Sequence, residues 1–156
     1  MLRRLKLTNF QKHHSLTVDF KGGLNLIVGE NWKGKTTVLR AISYALYGTA
    51  GVNVKAGNLI TRGEKKLLVE LEFRYKKADY RVKRSKTTAE ILKGDELQAS
   101  GQKPVTEYIS DLLGLSAKHF TFFNVIRQNS AAHLLTLGAS KLASLLNETT
   151  GVDLLA

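Results

Sequence analysis

One eight-residue pattern limits what this chain can fold into more than any other feature. Gly29-Glu30-Asn31-Trp32-Lys33-Gly34-Lys35-Thr36 fits G-x-x-x-x-G-K-[ST], a loop whose glycines let the backbone turn back so that successive N–H groups point inward around phosphates. The segment before it, Leu24-Asn25-Leu26-Ile27-Val28, is a short, nearly continuous apolar run, the form expected of a strand covered on both faces. The segment after it, Thr36 to Tyr47, sets Val38, Leu39, Ile42, Ala45 and Leu46 at helical spacing, which predicts one buried stripe, and Gly48 supplies a stop. Strand, loop and helix in that order suit the motif, because the helix N-terminus adds its own partial positive charge. Gly29, Asn31, Trp32, Lys33 and Gly34 then form the cradle, and Lys35 brings a mobile ammonium to the terminal phosphates. Thr36 offers a hydroxyl to Mg2+, and Thr37 a donor to the phosphate nearer the sugar. The pattern names a phosphate binder without naming a function.

The rest of the chain reads as one α/β unit. Met1–Asn9 and Leu16–Phe20 alternate apolar with polar residues and predict strands with one buried face. Val69, Leu71, Phe73 and Tyr75, followed after Lys76–Asp79 by Tyr80 and Val82, predict a hairpin, and a second one is expected over Thr88–Ala99 around Lys93-Gly94-Asp95. Gly48–Gly63, with four glycines, reads as a surface loop. Thr106–Leu113 reads as a short helix, Phe120–Gln128 as a strand, and Ser140–Thr150 as a helix. With a single Pro and no repeat, nothing marks a linker.

Charge points outward to a partner. Lys and Arg number 24 against 13 Asp and Glu, a net +11, which suits a polyanion such as nucleic acid or nucleotide. No apolar run approaches the 18 or so residues of a bilayer span, and charges interrupt the N-terminal apolar positions. Together with the absence of Cys, this predicts a cytoplasmic protein without a membrane partner.

The surroundings of the loop carry a family resemblance. Leu7-Thr8-Asn9-Phe10, the stretch Val18 to Asn31 and the run Gly34 to Ile42 closing on Ala45-Leu46-Tyr47-Gly48 resemble the opening of the SMC-like, ABC-type ATPases, and within them the SbcC-type DNA double-strand-break repair ATPases. Asn124-Val125-Ile126-Arg127-Gln128 resembles the family's Q-loop, and Leu145-Leu146-Asn147-Glu148-Thr149-Thr150-Gly151 is similar to the start of its long coiled coil. The resemblance implies that residues 1–156 form the N-terminal lobe of an ATPase head, with the coiled coil beginning near 140–156 and a C-terminal lobe supplied separately. The implied fold is an ABC-type P-loop lobe: a mixed sheet with the loop helix, plus an antiparallel β subdomain.

The implied activity is ATP binding and, with a C-terminal lobe and a second head sandwiching the nucleotide, Mg2+-dependent hydrolysis that moves the coiled coils. The implied partners are an SbcD-type nuclease and double-stranded DNA. Gln128, 93 residues after Lys35, would join it as a catalytic residue and join Thr36 as a metal ligand. Gln11 and Lys12 are implied to lie near the nucleotide, and Ile60-Thr61-Arg62 to flank its base. Two positions depart from the family: Trp32 stands where Gly is usual, and Gln11 where Arg is common, which leaves Lys12 or Lys33 to replace that cation. For DNA phosphates the candidates are Lys65, Lys66, Lys76, Lys77, Arg81, Lys83, Arg84 and Lys86; the same residues also read as a solvated charged face.

Hydrolysis needs parts this sequence does not contain. No four apolar residues are followed by Asp-Glu; Leu16-Thr17-Val18-Asp19 lacks the acidic neighbour and precedes the loop. Ser100-Gly101-Gln102 has the end of a signature motif but follows a predicted hairpin, and reads as a turn. His13, His14, His119 and His133 have no metal-like spacing and read as surface or packing residues. Two alternatives stay open: a chromosome-organising SMC head or transporter-type nucleotide-binding domain, and a basic nucleic-acid-binding module whose loop is vestigial because Trp32 occludes it.

Overall fold

Alternation fixes which side of the sheet is the core. Leu5 and Leu7, Val69, Leu71 and Phe73, Tyr80 and Val82, and Ala89 and Ile91 are all buried, while the residues between them face solvent. The computed structural model describes residues 1–121. Strands β1 (Leu2–Phe10) and β2 (His13–Asp19) come first, followed by helices α1 (Lys35–Tyr47) and α2 (Thr49–Val52) and a 3-10 turn over Ala56–Leu59. Strands β3 (Leu68–Tyr75), β4 (Ala78–Ser85), β5 (Ala89–Lys93) and β6 (Glu96–Ser100) then precede α3 (Gln102–Leu113) and α4 (Ala117–His119). The strands form one six-stranded sheet in the order β2-β1-β3-β4-β5-β6, and every pairing among the described residues is antiparallel.

The α/β class and both predicted hairpins are present. Lys76 and Lys77 form the two-residue turn of the first, both with positive φ (44° and 68°), the backbone hand that matches strand twist. Three expectations need correction. Residues 24–28 form no strand: Leu24, Leu26 and Val28 are 96%, 81% and 77% exposed, because no described strand lies beside them to take their N–H and C=O groups. The interval 48–63 is more ordered than a surface loop, since α2 and the 3-10 turn bury Val52 and Leu59. Phe120 has helical dihedrals and continues from α4 instead of opening a strand; the remainder of the expected strand, Gln128 and the helix expected over 140–150 lie outside the described residues. Helix α3 also starts earlier than expected, at Gln102, with Pro104 in its first turn, where a missing N–H costs nothing.

Helix α1 is buried more broadly than one stripe. Ala41 and Tyr44 join Val38, Ile42, Ala45 and Leu46 inside, whereas Leu39 turns outward at 42% exposure. Tyr47 is buried at its end, its hydroxyl donating to the Leu115 carbonyl at 2.8 Å and its ring 5.1 Å from that of Phe120. Burial pushes the Tyr47 phenol up to about 12 from an ordinary value of 10. A folded-state value above the unfolded one means that Tyr47 contributes fully below pH 10, and that this contribution is lost as pH rises toward 12. In melting temperature measured against pH, Tyr47→Phe should therefore flatten, but not remove, the alkaline decline, since burial also raises Tyr44.

Candidate phosphate site

The loop arches between the end of β2 and the N-terminus of α1. Gly34 is the residue before α1, with φ 91° and no side chain capping the first turn, so the helix presents uncapped N–H groups toward the loop. Any other residue there would be strained and crowded: a Cβ on Gly34 would lie 2.5 Å from His13 Nε2 and 2.9 Å from His13 Cε1. The His13 ring thus forms the wall behind the loop, with Nε2 3.3 Å from the Gly34 carbonyl.

In front of the loop lies an open cavity of about 490 Å³ lined by Lys12, Asn31, Trp32, Gly34, Lys35, Thr36, Thr37 and Arg40. Three of these side chains are cations, none is a carboxylate, and Thr36 is exposed. Lys35 Nζ donates to the loop's own carbonyls, Gly29 O at 2.6 Å and Glu30 O at 2.7 Å, and Lys12 Nζ donates to Trp32 O at 2.8 Å. Carbonyl dipoles are weak partners for ammonium groups, so an entering phosphate would compete well for both. Trp32 lines the cavity and its side chain is 86% exposed.

The turn joining β1 to β2 carries the residues that the family resemblance placed nearby. The Gln11 amide donates to Leu59 O at 2.7 Å, the Thr61 amide to Asn9 O at 3.0 Å, and Ile60 bridges to Phe10. Gln11, Ile60, Thr61 and Arg62 are thereby brought beside Lys12 and His13, although none of the four lines the cavity. Lys33 instead faces Glu30 across a solvent-exposed 3.6 Å pair. The sequence reading gave no role at this site to Arg40, which lines the cavity, or to His13, which lies against Gly34. Arg40 falls one helical turn after Thr36 and was legible from that spacing; His13 was not, because only the β1–β2 hairpin brings it under Gly34.

The proposed DNA cations divide sharply. Arg84 is 1% exposed, which removes it as a DNA contact. It lies on the core face of β4, where all its donors are taken: Nε bonds Ala45 O, Nη2 bonds Leu46 O and Thr106 Oγ1, and Nη1 bonds Gln102 O and Oε1, at 2.7–3.2 Å. Burial pulls its guanidinium down to about 10, still charged at neutral pH. Arg81 and Lys83 point to solvent but are paired, with Glu72 at 3.1 Å and Glu90 at 3.6 Å. They belong to cross-strand rows of alternating sign, Lys6-Glu70-Lys83-Glu90 and Asp19-Arg4-Glu72-Arg81, so this sheet face is charge-balanced instead of basic. Lys65, Lys66, Lys76, Lys77 and Lys86 remain exposed at loops and turns.

Known proteins resemble this chain in sequence and fold. The profile of the AAA domain family matches residues 4–150. The DNA double-strand break repair Rad50 ATPase of Methanocaldococcus jannaschii is 28% identical over 98% of this chain, and that of Methanococcus maripaludis 26% over 98%; the chain spans 16% of the length of each. The Thermoplasma acidophilum Rad50 ATPase is 38% identical over 56% of this chain and 10% of its own length. Among solved structures, a chain from work on ATP-driven dimerization and DNA-stimulated activation of SMC ATPases superposes with a TM-score of 0.69 at 17% identity, covering 94% of this chain and 98% of that one. The recombination mediator RecF with ATP gives 0.59 at 17% identity, covering 94% and 37%.

Proposed function

The chain belongs to the AAA domain family, and from that premise we propose that it binds Mg-ATP as the N-terminal lobe of a Rad50-like ATPase head. The observation that carries this reading is the cavity in front of the loop, where three cations and the uncapped N-terminus of α1 converge without a carboxylate. Lys35 and the loop amides hold the phosphates, while Thr36, with Gln128, would hold Mg2+, whose charge neutralises phosphate oxygens when bound. Similarity to Rad50 ATPases and the SMC-type fold support a role in DNA double-strand-break repair, with ATP hydrolysis, a nuclease of the SbcD type and cytoplasmic action as parts of the same proposal.

Hydrolysis on this reading requires a second lobe and a second head. The unburied apolar side chains of Leu24, Leu26, Val28 and Leu39 suit a lobe that adds strands beside residues 24–28. DNA contact, in this reading, falls to Lys65, Lys66, Lys76, Lys77 and Lys86. No helix among the described residues is long and apolar enough to cross a membrane.

Titration with Mg-ATP, followed by calorimetry and by emission of Trp32, tests the premise. Saturable binding is expected, weakened by more than about tenfold in Lys35→Ala, since a charge-assisted contact to phosphate is worth about 1.5–3 kcal/mol. Binding that is indifferent to Lys35 would refute the phosphate site.

A further inference from the structure

Lys12 lies between neighbours that are held in place, and its tip rests on Trp32. The residues around it are fixed: Gln11 by Leu59, Asn9 by Thr61, and His13 by the Thr61 hydroxyl, which donates to its carbonyl at 3.4 Å. The ammonium reaches the cavity from this turn, outside the phosphate loop, and its hydrogen bond and ring contact among the described residues are both with Trp32. It donates to the Trp32 carbonyl at 2.8 Å and lies 5.5 Å from the indole centroid.

Trp32 is itself an expensive residue at its position. Its φ of 68° lies in the left-handed region that disfavours side chains, and its ring is 86% exposed, so burial does not explain it. The contact with Lys12 is what the structure gives this ring to do. No ion pair involving Lys12 occurs among the described residues, and the cavity it lines holds no carboxylate.

Resting on the nucleotide reading above, we propose that Lys12 exchanges partners, holding Trp32 when the site is empty and the terminal phosphate when a nucleoside triphosphate is bound. The loop amides and Lys35 already serve the phosphates that the loop wraps. Lys12 approaches from another element and over Trp32, so it meets charge projecting beyond the loop. A triphosphate offers that charge and a diphosphate does not, which makes the exchange a source of selectivity between them. Because the indole loses its cation when phosphate arrives, Trp32 emission follows the same event.

The experiment compares Mg-ATP and Mg-ADP binding to the full chain by calorimetry, with Trp32 emission in parallel. Lys12→Met keeps the alkyl stem and removes the charge; Lys12→Arg restores a charge; melting temperature checks that both stay folded. Lys12→Met should weaken Mg-ATP by about tenfold and Mg-ADP by less than about threefold, and lose the ATP-specific emission change, with Lys12→Arg recovering most of both. An unchanged ratio of the two affinities in Lys12→Met overturns the exchange and leaves the nucleotide site standing. Absence of Mg-ATP binding by the unaltered chain overturns both.

Discussion

Replacement of Arg84 by Met is expected to cost the fold about 3–5 kcal/mol, a large part of the 5–15 kcal/mol typical of a domain. The cost comes from the acceptors left behind more than from the lost charge. Ala45 O and Leu46 O belong to the last turn of α1, where carbonyls have no intrahelical partner, and Arg84 reaches them from β4 at 3.0 and 3.2 Å. On its other side the guanidinium holds Gln102 and Thr106 of α3, so one side chain ties sheet, loop helix and α3 together. Removing it buries those carbonyls unpaired, at about 1–3 kcal/mol each. Arg84→Lys keeps the charge but cannot present a planar fork, and is expected to recover less than half of the loss. Urea unfolding of the three proteins measures this directly. A loss under about 1 kcal/mol for Arg84→Met would mean that water replaces the guanidinium at α1.

Gly34→Ala should leave the chain folded but weaken Mg-ATP binding by more than about a hundredfold, through two separable causes. One is the backbone: at φ 91° an alanine is strained by about 1–2 kcal/mol and will pull the residue toward ordinary dihedrals, turning loop amides away from the cavity. The other is contact, since the new methyl would sit 2.5 Å from His13 Nε2. Adding His13→Ala removes the second cause alone. Recovery of about tenfold in the double variant assigns that share to the clash; no recovery assigns the whole effect to strain. Retention of wild-type affinity by Gly34→Ala would contradict the geometry of the cradle.

Local patterns were readable wherever a residue's fate depends on near neighbours in the chain. The β3–β4 hairpin follows from alternation ending in Tyr75 and resuming at Tyr80, and the loop motif follows from its own eight residues. Arg84 shows the limit. In sequence it is one more cation in Arg81-Val82-Lys83-Arg84, yet period two puts it on the same side as Val82, facing the core. The alternation was available, but charge argued against burial, and only the carbonyls at the end of α1 resolve the conflict.

The sequence by itself determined the phosphate loop, the helix that follows it, the pairs of strands joined by short turns and the resemblance to SbcC-type, SMC-like ATPases, because each is written in contiguous residues whose spacing matches a backbone period or a motif. Only the tertiary structure decided that Leu24–Val28 has no strand beside it in the described chain, that Arg81 and Lys83 are neutralised across the sheet, and that Lys12, His13 and Arg40 gather around the loop. The physical reason is common to all three. Burial, pairing and convergence are properties of neighbours in space, and those neighbours come from strands and helices tens of residues apart.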